Sequence, residues 1–285
     1  MGKLGLVLEG GGMRGAYTAG VLAWFLRNNI EMDHVSGVSS GAMYGAFFLA
    51  KDEELLRKAS IEIAPSKDNV GIRPLLKERQ IVGYDHMYDV ALIEAGYKPE
   101  NILRSESEFS VAVYDMEIMD TIWMDKQTVA KDVKWIKAAC SLPFYSRLVN
   151  INGRDYTDGG VTTMIPLRHS LEVGCDRNII VTTKSKEYVR KPFKKLTLWF
   201  LRTFFYRSKP KVVQDFSKRT DIYYEERQLV DQQVEQKRAI YLYPTKETGV
   251  SRFSGTRQQF EDLYQMGIDD CERQRDEIME LVNKR

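Results

Sequence analysis

The sequence predicts an α/β fold with a mostly parallel central sheet, and two features near its start support this. A short apolar run at 4–8 ends in a glycine loop and is followed by helical spacing over 16–28. A second apolar run at 34–38 turns directly into an apolar helix over 40–51. Strands that alternate with helices are typical of parallel sheets covered by helices. The first fifty residues therefore predict the opening of such a sheet.

The rest of this α/β part follows from the same patterns. Helical spacing covers 52–63, 84–95 and 129–140, a loop is expected over 65–74, and strands are expected over 109–114, 120–124 and 178–182. Asn152-Gly153 lies between two strand-like segments and is a strong signal for a two-residue β-hairpin.

The composition of the chain changes after residue 185. The stretch 190–211 carries eight basic residues and no acidic one. Beyond it, the charge and apolar patterns predict long helices over 214–238 and 258–284, separated by a strand over 240–243. We therefore predict an α/β domain over 1–185 and a mainly helical extension over 186–285 that packs on or beside it.

The bulk composition excludes several classes of protein. The chain has 285 residues, a hydrophobic fraction of 43% and a net charge of +2, which provides no general attraction to nucleic acid. Its three cysteines, Cys140, Cys175 and Cys271, are widely spaced, so we expect neither disulfides nor a zinc site. The first apolar run is too short for a signal peptide, and no window approaches a membrane span. We expect a cytoplasmic protein, with a peripheral membrane contact left open.

The glycine loop after the first strand is the first motif that can carry chemistry. It comprises Gly10, Gly11, Gly12, Met13, Arg14 and Gly15. Backbone N–H groups in such a loop, together with the start of a helix, can stabilise a phosphate or an oxyanion. The spacing also matches a dinucleotide-binding loop, and Asp33 lies 18 residues past Gly15, near the position of a ribose-binding acid. A glycine turn without chemistry is the third interpretation.

The second motif places Ser39 between Gly37 and Gly41, at the junction of a strand and a helix. A Gly-x-Ser-x-Gly turn in this context holds a serine hydroxyl on a strained tip above a helix N-terminus. Glycines are needed because a Cβ does not fit where the strand and the helix crowd together. The motif predicts a nucleophile for acyl transfer. The structural alternative is that Ser39 only caps the helix.

A serine nucleophile needs a group that accepts its proton. Of the three histidines, His34 is too close in sequence to turn back on Ser39, and His86 and His169 have no supporting motif. Asp158, followed by Gly159 and Gly160, comes after a hairpin strand and is the better candidate. An aspartate there can act as a base if burial raises its pKa. The alternative is an ordinary Asp-Gly turn.

In this order, the three motifs resemble those of the patatin-like phospholipases, and the segment 138–144 also looks like a segment of that family. The resemblance covers roughly residues 4–185. It implies a three-layer α/β/α fold and a Ser-Asp dyad, with Ser39 as nucleophile and Asp158 as general base. Backbone amides around Gly11 and Gly12, next to Arg14, would form the oxyanion hole. The expected reaction is hydrolysis of lipid esters, without a metal or an organic cofactor.

The basic stretch contains an aromatic segment that is compatible with a lipid surface. One helical face carries large apolar side chains, widened by further rings: Phe193, Leu196, Phe200 and Phe204, then Trp199, Phe205 and Tyr206. Rings against lipid and cations against headgroups are typical of an interfacial helix. The alternative is that the rings pack on the protein core.

For the whole chain, two further hypotheses remain open at this point: a dinucleotide-binding domain, and a non-catalytic protein that docks on membranes. No motif for reading a nucleic-acid groove supports binding to nucleic acid. The sequence leaves the oligomeric state, the acyl chain and the headgroup of the substrate open.

Overall fold

A mixed, mostly parallel sheet forms the centre of the protein. The computed structural model describes residues 2–247 and 249–284. Within these residues the strands are β1 Lys3–Leu8, β2 His34–Val38, β3 Glu108–Asp115, β4 Asp120–Asp125, β5 Val149–Ile151, β6 Arg154–Asp158, β7 Cys175–Val181 and β8 Ala239–Leu242. They pair in the order β5-β6-β3-β2-β1-β7-β8, with β4 beside β3. The pairs among β3, β2, β1, β7 and β8 are parallel, whereas β4 and β6 run antiparallel to β3.

Helices connect and cover these strands. They are α1 Ala16–Arg27, α2 Ser40–Leu49, α3 Glu53–Lys58, α4 Ile72–Glu78, α5 Tyr84–His86, α6 Leu92–Glu94, α7 Lys126–Lys131, α8 Lys134–Cys140, α9 Leu167–Glu172, α10 Lys195–Phe204, α11 Pro210–Glu235, α12 Arg257–Arg273 and α13 Arg275–Asn283. Short 3₁₀ or π turns lie at Gly12–Gly15, Ala59–Ile63, Met87–Ala91, Pro99–Arg104 and Gly159–Val161.

The sheet is covered on both faces, as expected for an α/β/α fold. Side chains along a strand alternate between its faces. Leu6 and Leu8 of β1 therefore belong to a core shared with α1, α2 and α12, while Val7 packs into a second core with α9 and α11. The predicted three-layer arrangement with a mostly parallel sheet and a mainly helical C-terminal region is confirmed.

Helices α1 and α12 pack backbone against backbone, and this contact fastens the C-terminal region to the α/β part. A Cβ at Gly20 would lie 1.9 Å from the Tyr264 carbonyl oxygen, and one at Gly267 would lie 2.4 Å from the Tyr17 carbonyl oxygen. The Tyr17 hydroxyl also donates to the Asp270 carboxylate at 3.1 Å. Two facing glycines thus allow a crossing that larger residues would prevent.

Three elements differ from the sequence-based expectation. The helix predicted over 129–140 is two helices, because the backbone is extended at Asp132, whose carboxylate accepts the Lys134 amide and starts α8. The helix predicted over 258–284 breaks at Gln274 between α12 and α13. The loop predicted over 65–74 contains the start of α4, which escaped detection because several of its apolar side chains face solvent and give no buried stripe.

The α1–α12 crossing leads to a stability prediction. Gly20→Ala should lower the free energy of unfolding by about 1–3 kcal/mol, because the added methyl group must push the two helices apart. This loss should appear despite the higher helix propensity of alanine. Urea unfolding measures it, with Gln265→Ala on the exposed face of α12 as the control, for which we expect a change within about 0.5 kcal/mol. A Gly20→Ala protein as stable as the wild type would contradict the close crossing.

Candidate active site

Ser39 occupies a strained turn between β2 and α2. Its backbone has φ 55° and ψ −131°, a conformation that residues with a side chain rarely adopt. A Cβ at Gly37 would lie 2.6 Å from the Ala42 Cα, and one at Gly41 would lie 2.5 Å from the Leu8 carbonyl oxygen. The two glycines therefore let β1, β2 and α2 approach closely enough to form this turn.

Asp158 is placed beside this turn by the pairing of three strands. The edge of β3 opposite β4 is shared by β2 and β6, which meet there end to end. Val38, the last residue of β2, pairs with Ala112, and Asp158, the last residue of β6, pairs with Val113. Along β3, Asp158 therefore lies one residue beyond Val38, at the end of β2 that continues into Ser39.

The environment of Asp158 favours a carboxyl group that can hold a proton. The side chain is only 2% exposed, and this burial raises the pKa of Asp158. The Ser39 hydroxyl, the Gly160 amide and the nearby Arg219 and Arg252 cations act in the opposite direction on the same pKa. The well-aligned hydrogen bond to the carboxylate comes from the Gly160 amide at 2.7 Å. The Ser39 hydroxyl lies close enough to lower this pKa, although among the described residues it forms no hydrogen bond of normal geometry with the carboxylate.

The glycine loop lies on the other side of Ser39. A Cβ at Gly10 would approach the Ser39 Cβ to 2.7 Å, so this position must be a glycine if the serine keeps its place. The Gly11 amide donates to the Ser40 hydroxyl at 2.9 Å, and the Met13 amide donates to the Arg252 carbonyl at 3.1 Å. Gly12, between them, has a positive φ of 59° and lines both cavities that border Ser39.

A buried ion pair between Glu9 and Lys184 supports the start of the glycine loop. Glu9 is almost completely buried, and its carboxylate accepts hydrogen bonds from the Thr183 amide at 2.8 Å, the Thr183 hydroxyl at 3.1 Å and the Lys184 ammonium group. The Thr183 hydroxyl lies equally close to the Gly10 carbonyl, at 3.1 Å. These contacts tie the end of β1 to the segment after β7.

The last two residues of the loop, Arg14 and Gly15, have different surroundings. The Arg14 side chain donates to the Val250 carbonyl at 3.2 Å and lines a separate cavity with Tyr188 and Lys246. Gly15 packs against the Tyr44 ring. The structure therefore brings the first half of the predicted loop, but not the Arg14 side chain, to the predicted dyad.

Two cavities of different chemistry meet at Ser39. The first cavity is mostly apolar. Its walls include Met43, Tyr44, Val70, Val82, Tyr84, Met87, Tyr88, Cys140, Leu142 and Phe253. The second contains Asp158 and is lined by charged side chains, namely Glu9, Lys184, Arg190, Arg219 and Arg252. An ester bond at Ser39 would thus have an apolar wall on one side and a cationic one on the other.

Sequence reasoning missed most of these cavity walls. Leu142, which lines both cavities, lies in the segment 138–144 that carried part of the family resemblance. Arg190 begins the basic stretch, but nothing in its neighbourhood indicated a site. Arg219 lies on α11 and Arg252 in the loop before α12, so no local spacing connects them with Ser39.

The three histidines lie outside both cavities. His34 is at the opposite end of β2 from Ser39, where its ring contacts the Ser110 hydroxyl at 2.9 Å. His169 stacks on Trp123, with ring centroids 3.7 Å apart. Burial lowers the pKa of both rings to about 4. Neither histidine is placed to accept a proton from Ser39.

Neither a metal centre nor a membrane span was found in the described part of the chain. Within residues 2–247 and 249–284, no group of three or more His, Cys, Asp or Glu side chains is arranged to hold a metal ion. In the same ranges, no helix combines the length and the apolar composition needed to cross a bilayer.

The class of this protein follows from its similarity to a known protein family. The model of the patatin-like phospholipases matches residues 6–171, more than half of the chain. The chain therefore belongs to this family of lipid acyl hydrolases. A second model, of a domain of unknown function (DUF6363), matches residues 209–283.

Two individual proteins are similar to this chain. The protein YjjU of Escherichia coli K12, described as uncharacterized, is 24% identical over 206 residues, which cover 70% of this chain and 57% of YjjU. The chain thus spans little more than half the length of this relative. The crystal structure of VipD from Legionella pneumophila matches with a TM-score of 0.51 and 13% identity, over 99% of this chain and 67% of that one. This likeness shows a shared fold.

The strained turn gives a prediction that does not depend on activity. Ser39→Gly should be more stable than Ser39→Ala by about 1 kcal/mol, because glycine adopts the positive φ of this position without strain. The neighbouring Ser40 has helical geometry and is the matched control, since there the alanine variant should be the more stable one. Denaturant unfolding of the four variants measures both differences, and the same order at both positions would contradict the strain.

Proposed function

We propose that this protein hydrolyses lipid esters through an acyl-enzyme on Ser39, with Asp158 as the general base. The observation that supports it most strongly is the meeting of β2 and β6 on one edge of β3, which sets a buried carboxylate beside a strained serine. Membership of the patatin-like phospholipase family supports lipid acyl hydrolysis in general. The apolar walls of the cavity next to Ser39 suit an acyl chain.

In the first half of the proposed reaction, Asp158 accepts the Ser39 proton while the serine oxygen attacks the ester carbonyl. The raised pKa of Asp158 makes its carboxylate a stronger base than an exposed one. The proton then passes to the departing alcohol, which leaves the acyl group on Ser39. In the second half, Asp158 takes a proton from water, and the resulting attack releases the fatty acid and restores the serine.

The oxyanion of each tetrahedral intermediate needs hydrogen-bond donors. Among the predicted loop residues, Gly11 and Met13 already donate their amides to Ser40 and Arg252. Gly12 borders both cavities at a positive φ, so we assign its amide as the principal donor. The Ser40 amide at the start of α2 adds the positive end of the helix dipole.

The dinucleotide-binding hypothesis finds less support. Its ribose-binding acid would be Asp33, whose carboxylate accepts the Leu4 amide at 2.7 Å at the start of β1. The glycine loop follows the opposite end of the same strand. A nucleotide phosphate on this loop would therefore lie a whole strand length away from Asp33.

An activity-based probe tests the proposed dyad. A fluorophosphonate should label the wild type on Ser39 and leave Ser39→Ala unlabelled. Asp158→Asn should lower kcat for a short-chain ester at least about a hundredfold, because the general base is lost. Asp155→Asn, at the other end of β6, is the matched control and should keep wild-type turnover.

The pH profile adds a second readout. Wild-type activity should fall as the pH drops through the raised Asp158 pKa, because only the ionised carboxylate accepts a proton. Labelling of another residue, or near-normal turnover by Asp158→Asn, would show that the dyad is assigned wrongly. Binding of the protein to lipid vesicles without hydrolysis of any ester would favour the non-catalytic alternative.

We further propose that the protein meets its substrate at a lipid surface. Most of the predicted aromatic face lies in solvent, where Trp199 is 58% and Phe204 64% exposed. Two members of the predicted face do not: Phe193 precedes α10 and packs on Phe216, and Tyr206 follows α10 and is buried in the core. The helix N-terminus carries Lys194 and Lys195, and the preceding and following turns add further cations without an acid. Rings that enter lipid while cations contact anionic headgroups fit this pattern.

A second group of exposed apolar residues lies on and just after α4. Leu76 on α4 is 78% exposed, and Ile81 just after α4 donates its amide to the Tyr145 carbonyl. The neighbouring Phe144 ring lies 5.9 Å from Phe205 at the end of α10. These contacts connect the apolar surface at Leu76 and Ile81 with the end of α10, and Val82, next to Ile81, lines the apolar cavity.

Vesicle binding tests this surface. Trp199→Glu should weaken binding to vesicles that contain an anionic phospholipid by about tenfold or more, because it removes a large apolar contact and adds repulsion. Val234→Glu, which changes an exposed apolar residue at the far end of α11, is the control and should bind like the wild type. Equal sedimentation of all three proteins with vesicles would contradict the proposed contact.

A further inference from the structure

Positive charges outnumber negative charges in the cationic cavity beside the proposed dyad. Four cationic side chains and two carboxylates line it, an excess of two positive charges. Lys184 is neutralised by its ion pair with Glu9. Within the part of the chain that the structure describes, the three arginines of this cavity, Arg190, Arg219 and Arg252, form no salt bridge. Their charges therefore remain available to a ligand.

Arg219 is the most informative of the three. Its side chain is only 8% exposed, and its Nε has no hydrogen-bond partner in the described residues although it is fully buried. Burial and the neighbouring Arg190 and Arg252 charges lower the pKa of Arg219, yet a guanidinium group remains charged at neutral pH. Because Arg219 lines the cavity and its buried Nε has no acceptor, an anion bound in the cavity would offset the cost of burying this cation.

The position of the arginines relative to Ser39 relates this anion to the substrate. The apolar and cationic cavities share Ser39, Gly12, Leu142 and Arg252. An ester whose carbonyl carbon lies at Ser39 and whose acyl chain enters the apolar cavity would direct its alcohol portion into the cationic one. The arginines would then surround the group that leaves in the first half of the reaction.

We propose that the cationic cavity binds an oxyanion, a phosphate group on the alcohol portion of the substrate, through Arg190, Arg219 and Arg252. This inference rests on the proposed acyl hydrolase function and narrows its substrate to anionic esters. Planar guanidinium groups donate paired hydrogen bonds to phosphate oxygens and are well suited to this role. The Arg219 guanidinium group lies 5.4 Å from the centre of the Phe216 ring, and the Arg190 guanidinium group lies 5.3 Å from the centre of the Tyr223 ring. These aromatic contacts hold the two guanidinium groups in place.

A purely electrostatic role for the arginines makes a different prediction. Arg219 and Arg252 also lower the pKa of Asp158, so their loss could change the base alone. Such an effect would alter the hydrolysis of every ester equally and would shift the pH profile. A subsite for a phosphate group would instead change the selectivity between charged and uncharged substrates.

The test compares a monoacylglycerol with its phosphorylated counterpart carrying the same acyl chain. Wild-type kcat/KM should be higher for the phosphorylated ester. Arg219→Gln should lower the ratio of the two kcat/KM values by about tenfold to a hundredfold, mainly through KM, because a charge-assisted contact is lost. Arg190→Gln, at a half-buried loop position, should act in the same direction. Lys218→Gln removes an exposed charge from the neighbouring position on α11 and should leave the ratio unchanged.

A binding experiment separates this inference from the proposed function. In the Ser39→Ala protein, glycerol phosphate should raise the melting temperature, and Arg219→Gln in the same background should abolish the shift. This shift together with the absence of any hydrolysis by the wild type would refute the proposed function and keep the anion site. A shift with inorganic phosphate but no preference for the phosphorylated ester would assign the cavity to free phosphate and overturn its role in substrate selection. Equal losses on both esters would overturn the subsite as well.

Discussion

The organisation of the candidate site depends on one edge of strand β3. Parallel β2 covers the first part of this edge and antiparallel β6 the last part, so the ends of the two strands face each other. One end continues into Ser39 and the other is Asp158. Backbone pairing therefore fixes the positions of these two residues relative to each other. A shift of β6 by one residue would turn Asp158 to the opposite face of the sheet.

Close backbone approach is the second condition, and it explains the glycines around the site. Gly10 lies against Ser39, Gly41 against the end of β1, and Gly159 would bring a Cβ to 2.7 Å from the Ala112 carbonyl carbon. Strain at Ser39 can persist only where its surroundings hold it. The buried pair of Glu9 and Lys184 supplies part of this support under the glycine loop.

The C-terminal region contributes to the site as well as to the fold. Strand β8 extends the sheet beside β7, and α12 packs on α1. On α11, the Glu226 carboxylate accepts the Met164 and Ile165 amides, which anchors the segment that follows Asp158. Burial raises the pKa of Glu226 to about 8. Since Arg219 lies on the same helix, α11 connects the segment after the proposed base with the proposed anion subsite.

The sequence by itself determined the local features of this protein. Short apolar strands, a helix after each of the first two, the glycine loop and the Ser39 turn are each set by neighbouring residues. Their pattern correctly predicted an α/β fold with a mostly parallel sheet, and the resemblance to a family added the three-layer arrangement. The sequence patterns did not predict the α4 helix or the helix breaks at Asp132 and Gln274, because exposed apolar faces and single caps leave little periodic signal. The division of the chain near residue 185 stays a prediction.

Only the tertiary structure decided which distant groups share the site. It brought Arg219 and Arg252 to the cavity of Asp158, turned Arg14 into a different cavity, and left the rings of α10 in solvent rather than in the core. The physical reason is that cavity walls and surface faces are set by how helices and loops pack on the sheet. That packing depends on the shapes and charges of many residues far apart in the chain, which no local pattern encodes.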